Sequence, residues 1–287
     1  MPTIISLDDA RHAPGDRQIV ETRAGRLAVI TSGIGPDVVL IHGITDNADT
    51  WRTVQQRLAA TARVHAVDLP GHGLSDIPAR PLSVAEQAAA VLAYMDAAGI
   101  RRAVVAGNSL GGGVTLGVCF QAPERVPAAL LLCALGMPFP VPPGLGALRY
   151  PPLAECMPRV AASPRLSRLL LRDVYHRGFQ PTDEMVRDYW RQWRIAGRPR
   201  YIRSLMRGLD VAEPSPWLAA IHTRVHVVHG EVDRIIPVRV GRAIAAALPN
   251  ARLSVLPGIG HEPQHECLDT TCAFLDDALA SPPSPDR

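Results

Sequence analysis

The chain has 287 residues, 47% hydrophobic and 20% charged, which are globular values with room for one sizeable core and an insertion. A net charge of +3 supplies no general affinity for nucleic acid or for a membrane, and no run is long and apolar enough to span a bilayer. The start, Met1 to Asp9, lacks the basic and apolar regions of a signal peptide, and the five cysteines (Cys119, Cys133, Cys156, Cys267, Cys272) lack metal-type pair spacing, so reduced thiols in a cytoplasmic protein are expected.

In chain order, Gln18–Arg23 and Leu27–Thr31 flank Ala24-Gly25, which predicts a hairpin and an antiparallel start. Four short, continuously apolar runs follow: Val38–Ile41, Val64–Val67, Ala103–Ala106 and Ala128–Cys133. Such runs suit parallel strands buried on both faces. Helical patterns separate them at about 51–60, 83–98 and 111–121, the second opened by a Ser83/Glu86 capping box. This alternation predicts an α/β fold with right-handed crossovers.

Beyond Gly136 the pattern changes. Met137–Gly144 carries four prolines and reads as a linker, and the Arg-rich, amphipathic text up to Ser215 has no strand-like run. The sheet resumes with Val225–Val228 and Leu253–Leu256. The predicted organisation is a core of 1–136 and 216–280, a helical cap of 137–215, and a Pro-rich disordered tail of 281–287.

The sequence Gly107-Asn108-Ser109-Leu110-Gly111 stands between an apolar run and a helical one, the context of a nucleophile elbow. A serine hydroxyl is a poor nucleophile unless a base takes its proton and a carboxylate holds that base in the right tautomer. His229-Gly230-Glu231-Val232-Asp233 follows one later strand and Gly258-Ile259-Gly260-His261 follows the next, giving the order Ser, Asp, His.

With His42-Gly43, the run Asp68–Ser75, Gly230–Pro237 and Gly260–Pro263, the chain resembles the α/β-hydrolase family over nearly its whole length. The resemblance implies a mostly parallel eight-stranded sheet with an inserted helical cap. It also implies a triad of Ser109, His261 and Asp233, with Glu231 the weaker rival for the acid, and an oxyanion hole from the N–H groups of Ile44 and Leu110. His42 and His72 resemble loop-shaping positions. No cofactor is implied.

The activity so implied is hydrolysis of a small carboxylic ester through an acyl-enzyme. Asn108 is similar to the motif of meta-cleavage-product hydrolases, which cleave carbon–carbon bonds, although those usually place Trp where Glu262 stands. The family also includes receptors that keep the triad, a non-catalytic alternative. The expected partner is a small molecule, with no nucleic acid or membrane, and the chain is compatible with a homodimer.

Asn108 and Thr45 are candidate substrate contacts, while Thr45, Asp46 and Asn47 also suit a turn that caps the next helix. The cap holds 13 Arg against 7 acids, and Arg187, Arg191, Arg194 and Arg198 fall on one face at helical spacing. The first three are therefore candidates to bind a substrate carboxylate, against the alternative of a solvated face. The string His261-Glu262-Pro263-Gln264-His265 matches the zinc-protease pattern, but Pro263 disfavours the helix that a shared zinc would require, so no metal site is expected.

Overall fold

The structure, a computed structural model, describes residues 16–161, 163–208, 213–215 and 217–280. The expected tail, 281–287, lies outside the described residues. Eight strands form one sheet: β1 (Asp16–Thr22), β2 (Gly25–Ser32), β3 (Asp37–Ile41), β4 (Arg63–Val67), β5 (Val104–Asn108), β6 (Ala128–Leu132), β7 (Arg224–Gly230) and β8 (Ala251–Leu256). Their spatial order is β1-β2-β4-β3-β5-β6-β7-β8. β2 pairs antiparallel with β1 and β4, and every later pairing is parallel, so the sheet is mostly parallel, as the apolar runs predict.

Side chains alternate between two apolar layers because successive residues of a strand face opposite ways. Val38, Leu40, Ala106, Leu130 and Leu132 pack with α1 (Arg52–Leu58) and with α11 (Leu268–Ala280) on one face. Val39, Ile41, Val105 and Leu131 meet α2 (Val84–Ala97), α3 (Leu110–Gln121) and α9 (Val238–Ala247) on the other. The Ser83/Glu86 capping box closes α2 as expected. α3 is buried over nearly its whole length, so it is apolar on all sides and holds the elbow rigidly against the sheet.

Between β6 and β7 the chain leaves the sheet for α4 (Pro143–Gly146), α5 (Pro151–Ala161), α6 (Pro164–Leu171), α7 (Asp183–Arg191) and α8 (Arg198–Gly208). The Pro-rich stretch expected to be a linker is one except for the single turn of α4. Trp190, Trp193, Tyr201 and Met206 of this inserted segment join the apolar cluster of the α3 face. The last short helix, α10 (Pro263–Glu266), precedes α11. Among the described residues no helix is long and apolar enough to cross a membrane.

Candidate active site

Ser109 sits between β5 and α3 with φ 55° and ψ −117°, a strained backbone for a residue with a side chain. Its surroundings fix it there. The Ser109 N–H donates to the Leu132 carbonyl at 2.9 Å, and its own carbonyl accepts from Gly112 at 3.0 Å and Leu135 at 2.9 Å. A Cβ on Gly107 would collide with the Gly111 carbonyl, and one on Gly111 with that of Ile41. The two glycines of the motif are therefore demanded by close backbone approach, and the turn ejects Ser109 at the carboxyl edge of the sheet.

Asp233 follows β7 and His261 follows β8, both at the same edge. His261 Nδ1–H donates to Asp233 Oδ2 at 2.7 Å, which leaves Nε2 as the ring nitrogen not engaged by Asp233. Asp233 Oδ1 accepts from the N–H groups of Ile235 at 2.8 Å and Ile236 at 3.0 Å. Burial alone would raise this carboxyl, but the charge of His261 and the bonds from His229 and His261 outweigh burial and hold it well below the usual carboxylate range. Glu231, the rival acid, is exposed, and among the described residues it accepts only from the Gly258 N–H at 3.1 Å.

Sequence reasoning missed two groups that hold this constellation in place, Glu266 and His229. Glu266, with its side chain fully buried, accepts from Gly260 N–H at 2.9 Å and Glu262 N–H at 3.0 Å, the residues on either side of His261. The same carboxylate accepts from the His176 N–H at 2.7 Å, which ties the His261 loop to the inserted segment. His229 donates from Nε2 to the Ile236 carbonyl at 2.8 Å and stands 3.4 Å from Asp233 Oδ2. Only the spacing of Glu266, four residues past Glu262 on α10, hints at this in the sequence.

Ile44 and Leu110 both border the cavity at Ser109, and among the described residues neither main-chain N–H has an acceptor. Two unpaired donors at the Ser109 cavity have the geometry that a negatively charged oxygen would accept from. The neighbouring loop behaves as a turn. Asn47 caps the following 3-10 turn by accepting from the Asp49 N–H at 3.0 Å, and its amide donates to the Asp188 carbonyl at 2.9 Å. Thr45, at φ 67°, joins its hydroxyl to that of Tyr189 at 2.6 Å. His42 donates to the Gly43 carbonyl at 2.7 Å and accepts from the Leu69 N–H at 3.0 Å, while His72 is fully buried against it, so both shape loops as expected.

The expected substrate contacts need correction. Asn108 is fully buried and donates to the His261 carbonyl at 2.9 Å, so it positions the histidine loop and does not border the cavity. The single face through Arg187, Arg191, Arg194 and Arg198 does not exist, because α7 stops at Arg191, a 3-10 turn covers Gln192–Arg194, and Gly197 reverses the backbone at φ 82°. Arg187 is exposed, Arg191 pairs with Asp188 and Asp49, and neither they nor Arg194 border the cavity at Ser109. Arg198 is buried and donates to the carbonyls of Gly73 at 2.8 Å and Ser75 at 3.3 Å. Burial pushes its guanidinium down to about 10.

The arginine that does border the cavity is Arg149, beside Leu135, Phe139, Val141, Leu145 and Met206. Its Nε donates to the Met206 carbonyl at 3.1 Å, and among the described residues its Nη1 and Nη2 have no partner. The cavity volume is about 20 Å³, room for little more than one water.

Two further carboxyls near the site, Asp46 and Glu262, are buried. Burial raises Asp46 to about 7 despite the bond it accepts from the Asn47 N–H, and burial together with the charges of Asp46, Glu266 and Asp233 raises Glu262 well above its ordinary value. The zinc string itself is split. Glu262 is non-helical at φ −119° and ψ 67°, His261 serves Asp233, and His265 donates to the Thr50 carbonyl at 2.8 Å. The one potential metal-ligand group among the described residues is Cys133, His229 and Asp233. Asp233 is already committed there to His261 and two main-chain donors.

The arrangement has close counterparts. A family model described as the alpha/beta hydrolase fold matches residues 36–267. A 2-hydroxymuconate semialdehyde hydrolase of Pseudomonas sp. (strain CF600) is 31% identical over 259 residues, covering 87% of this chain and 88% of that protein. An uncharacterized protein of Mycobacterium tuberculosis is 30% identical over 276 residues, covering 92% and 80%. Among solved structures, a 2-hydroxy-6-oxo-6-phenylhexa-2,4-dienoate hydrolase from Rhodococcus sp. strain RHA1 superposes with a TM-score of 0.76 at 27% identity, covering 92% of this chain and all of that one. With the sheet order, the elbow and these matches in agreement, the chain belongs to the α/β-hydrolase family.

Proposed function

We propose that the protein is a serine hydrolase that cleaves a small carboxylic ester through an acyl-enzyme, with Ser109, His261 and Asp233 as its triad. The observation that carries this reading is the strained Ser109 backbone at one strand end, with the 2.7 Å Asp233–His261 bond at the ends of two neighbouring strands. Ser109 Oγ attacks the ester carbonyl while His261 Nε2 takes its proton. The oxyanion is received by the N–H groups of Ile44 and Leu110, and the alcohol leaves with the proton from His261. Water then adds to the acyl carbon by the same base and releases the acid and free Ser109.

A bound ester would meet Phe139, Val141, Leu145, Arg149 and Met206, the side chains of the inserted segment that line the cavity at Ser109. The test is steady-state turnover of short activated esters by the wild type and by Ser109→Ala. A wild-type protein without turnover, or a variant that keeps it, would sink the proposal.

Carbon–carbon cleavage of a meta-cleavage product is the second reading, favoured by the names of the Pseudomonas and Rhodococcus relatives. Against it stands Glu262 directly after His261, at the position where such hydrolases usually carry Trp. Comparing kcat/KM for such a dienoate and for a short ester decides between the two.

A further inference from the structure

Helix α6 turns only Ser167 and Leu171 inward. Leu166, Leu169 and Leu170 on its remaining surface are 40%, 52% and 47% exposed. Single exposed leucines are ordinary, but three on one two-turn helix form an unpartnered apolar face. Beside it lies an open cleft of about 1050 Å³, with Leu169 and Leu170 in one wall. The cleft carries Arg165, Arg168, Arg172, Arg177 and Arg234 against a single acid, Asp173. Arg168 is held by Asp183 and the Pro181 carbonyl, and Arg234 by Asp173 at 3.2 Å. Among the described residues Arg165, Arg172 and Arg177 have no partner.

We propose that this face docks on a lipid bilayer containing anionic phospholipid, with the leucines entering the boundary between headgroups and acyl chains and the arginines meeting the phosphates. The pattern of apolar residues bordered by cations is that of a helix lying in a membrane interface. Charge decides against the other natural occupant, a second copy of this chain. A two-fold interface sets the same patch against itself, and here that would bring one basic patch of Arg165, Arg172 and Arg177 against another with one acid in each cleft to offset them. A bilayer supplies the missing negative charge and the missing apolar phase together. The small overall charge of +3 conceals this surface because it averages a basic inserted segment with an acidic remainder.

The measurement is flotation of the whole protein with vesicles of phosphatidylcholine alone and with about 30% phosphatidylglycerol added. Wild type should float with the anionic vesicles and not with the neutral ones, and raised salt should release it. Both Leu169→Glu/Leu170→Glu and Arg165→Gln/Arg172→Gln/Arg177→Gln should lose about tenfold or more of the bound fraction, with hydrolysis of a short soluble ester unchanged as the check that they are folded. No binding of wild type to anionic vesicles, or equal binding by the leucine variant, overturns the proposal. So does a concentration-dependent dimer in sedimentation that the leucine variant abolishes, which would make this face a protein interface.

Discussion

The carboxyl edge of the sheet and the inserted helices use polar groups in opposite ways. At the edge, side chains and main chain are tied to one another: Asp233 accepts from two N–H groups of its own loop, the side chains of Glu266 and Asn108 bond the main chain of the His261 loop, and the Ser109 backbone is held by β6, α3 and the Leu135 N–H. In the inserted segment, Arg198 and Arg149 bond main-chain carbonyls, while Arg187 faces solvent, Arg191 pairs with Asp188 on its own helix, and several others end in a cleft with too few acids. Geometry set by strand ends tolerates little displacement, because main-chain atoms cannot move independently. Geometry set by long side chains on short helices adjusts. Substitutions at the edge should therefore act on kcat, and those in the insertion on KM and on surface contacts.

The steepest test of that contrast is Ser109→Ala. Removing a triad nucleophile costs on the order of 10⁶-fold in kcat. The hydroxyl makes no packing contact that the fold depends on, so the thermal midpoint should stay within about 1 °C, as for a neutral substitution. Residual activity above about one percent would mean that another residue attacks.

The second test asks whether the edge is as rigid as its bonds imply. Glu266→Gln replaces an acceptor of several N–H groups by a side chain that is half donor, which loosens both flanks of His261. Displacing a catalytic group by about 1 Å can cost 10²-fold, so kcat should fall by about that factor with KM nearly unchanged. A rise in KM with kcat intact would show that Glu266 acts only through the inserted segment that it binds at His176.

The two regions also differ in how readable they were. The strands were legible because parallel strands buried on both faces must be continuously apolar, and the elbow because Gly107 and Gly111 have no room for a Cβ. The order of Ser109, Asp233 and His261 followed from which residues succeed each strand. Arg149 was not legible. It stands after a proline-rich stretch whose Phe139 and Val141 help to wall the cavity, and nothing local signals that this stretch folds back over Ser109. The expectation for Arg187, Arg191 and Arg194 failed because periodicity was extended across Gln192–Arg194, where the helix tightens into a 3-10 turn and ends before Gly197. Glu266 and Asn108 act through contacts distant in sequence, which spacing does not encode.

A third test follows for the insertion. Arg149→Gln should raise KM for an ester carrying a distal carboxylate by about tenfold, the worth of one charge-assisted hydrogen bond, and leave its neutral analogue unaffected. Equal effects on the two esters would make Arg149 a wall of the cavity and not a receptor for charge.

The smallest expected effect lies where the two regions meet. Asp46, on the loop that Thr45 and Asn47 bind to α7, is raised by burial from 3.8 to about 7. Between those values the folded protein holds a proton that the unfolded chain has lost, so this group makes stability fall as pH rises from about 4 to about 7. Asp46→Asn keeps an oxygen for the Asn47 N–H and removes the titration. The variant should gain stability relative to wild type at pH 8, on the order of 1 kcal/mol, and show little gain at pH 5. Thermal unfolding at both values reads this as a midpoint difference of roughly 2 °C that appears only at the higher pH. A variant less stable than wild type at pH 8 would show that the ionised carboxylate is held by partners, and that the loop beside His261 is an acceptor site rather than a neutral one.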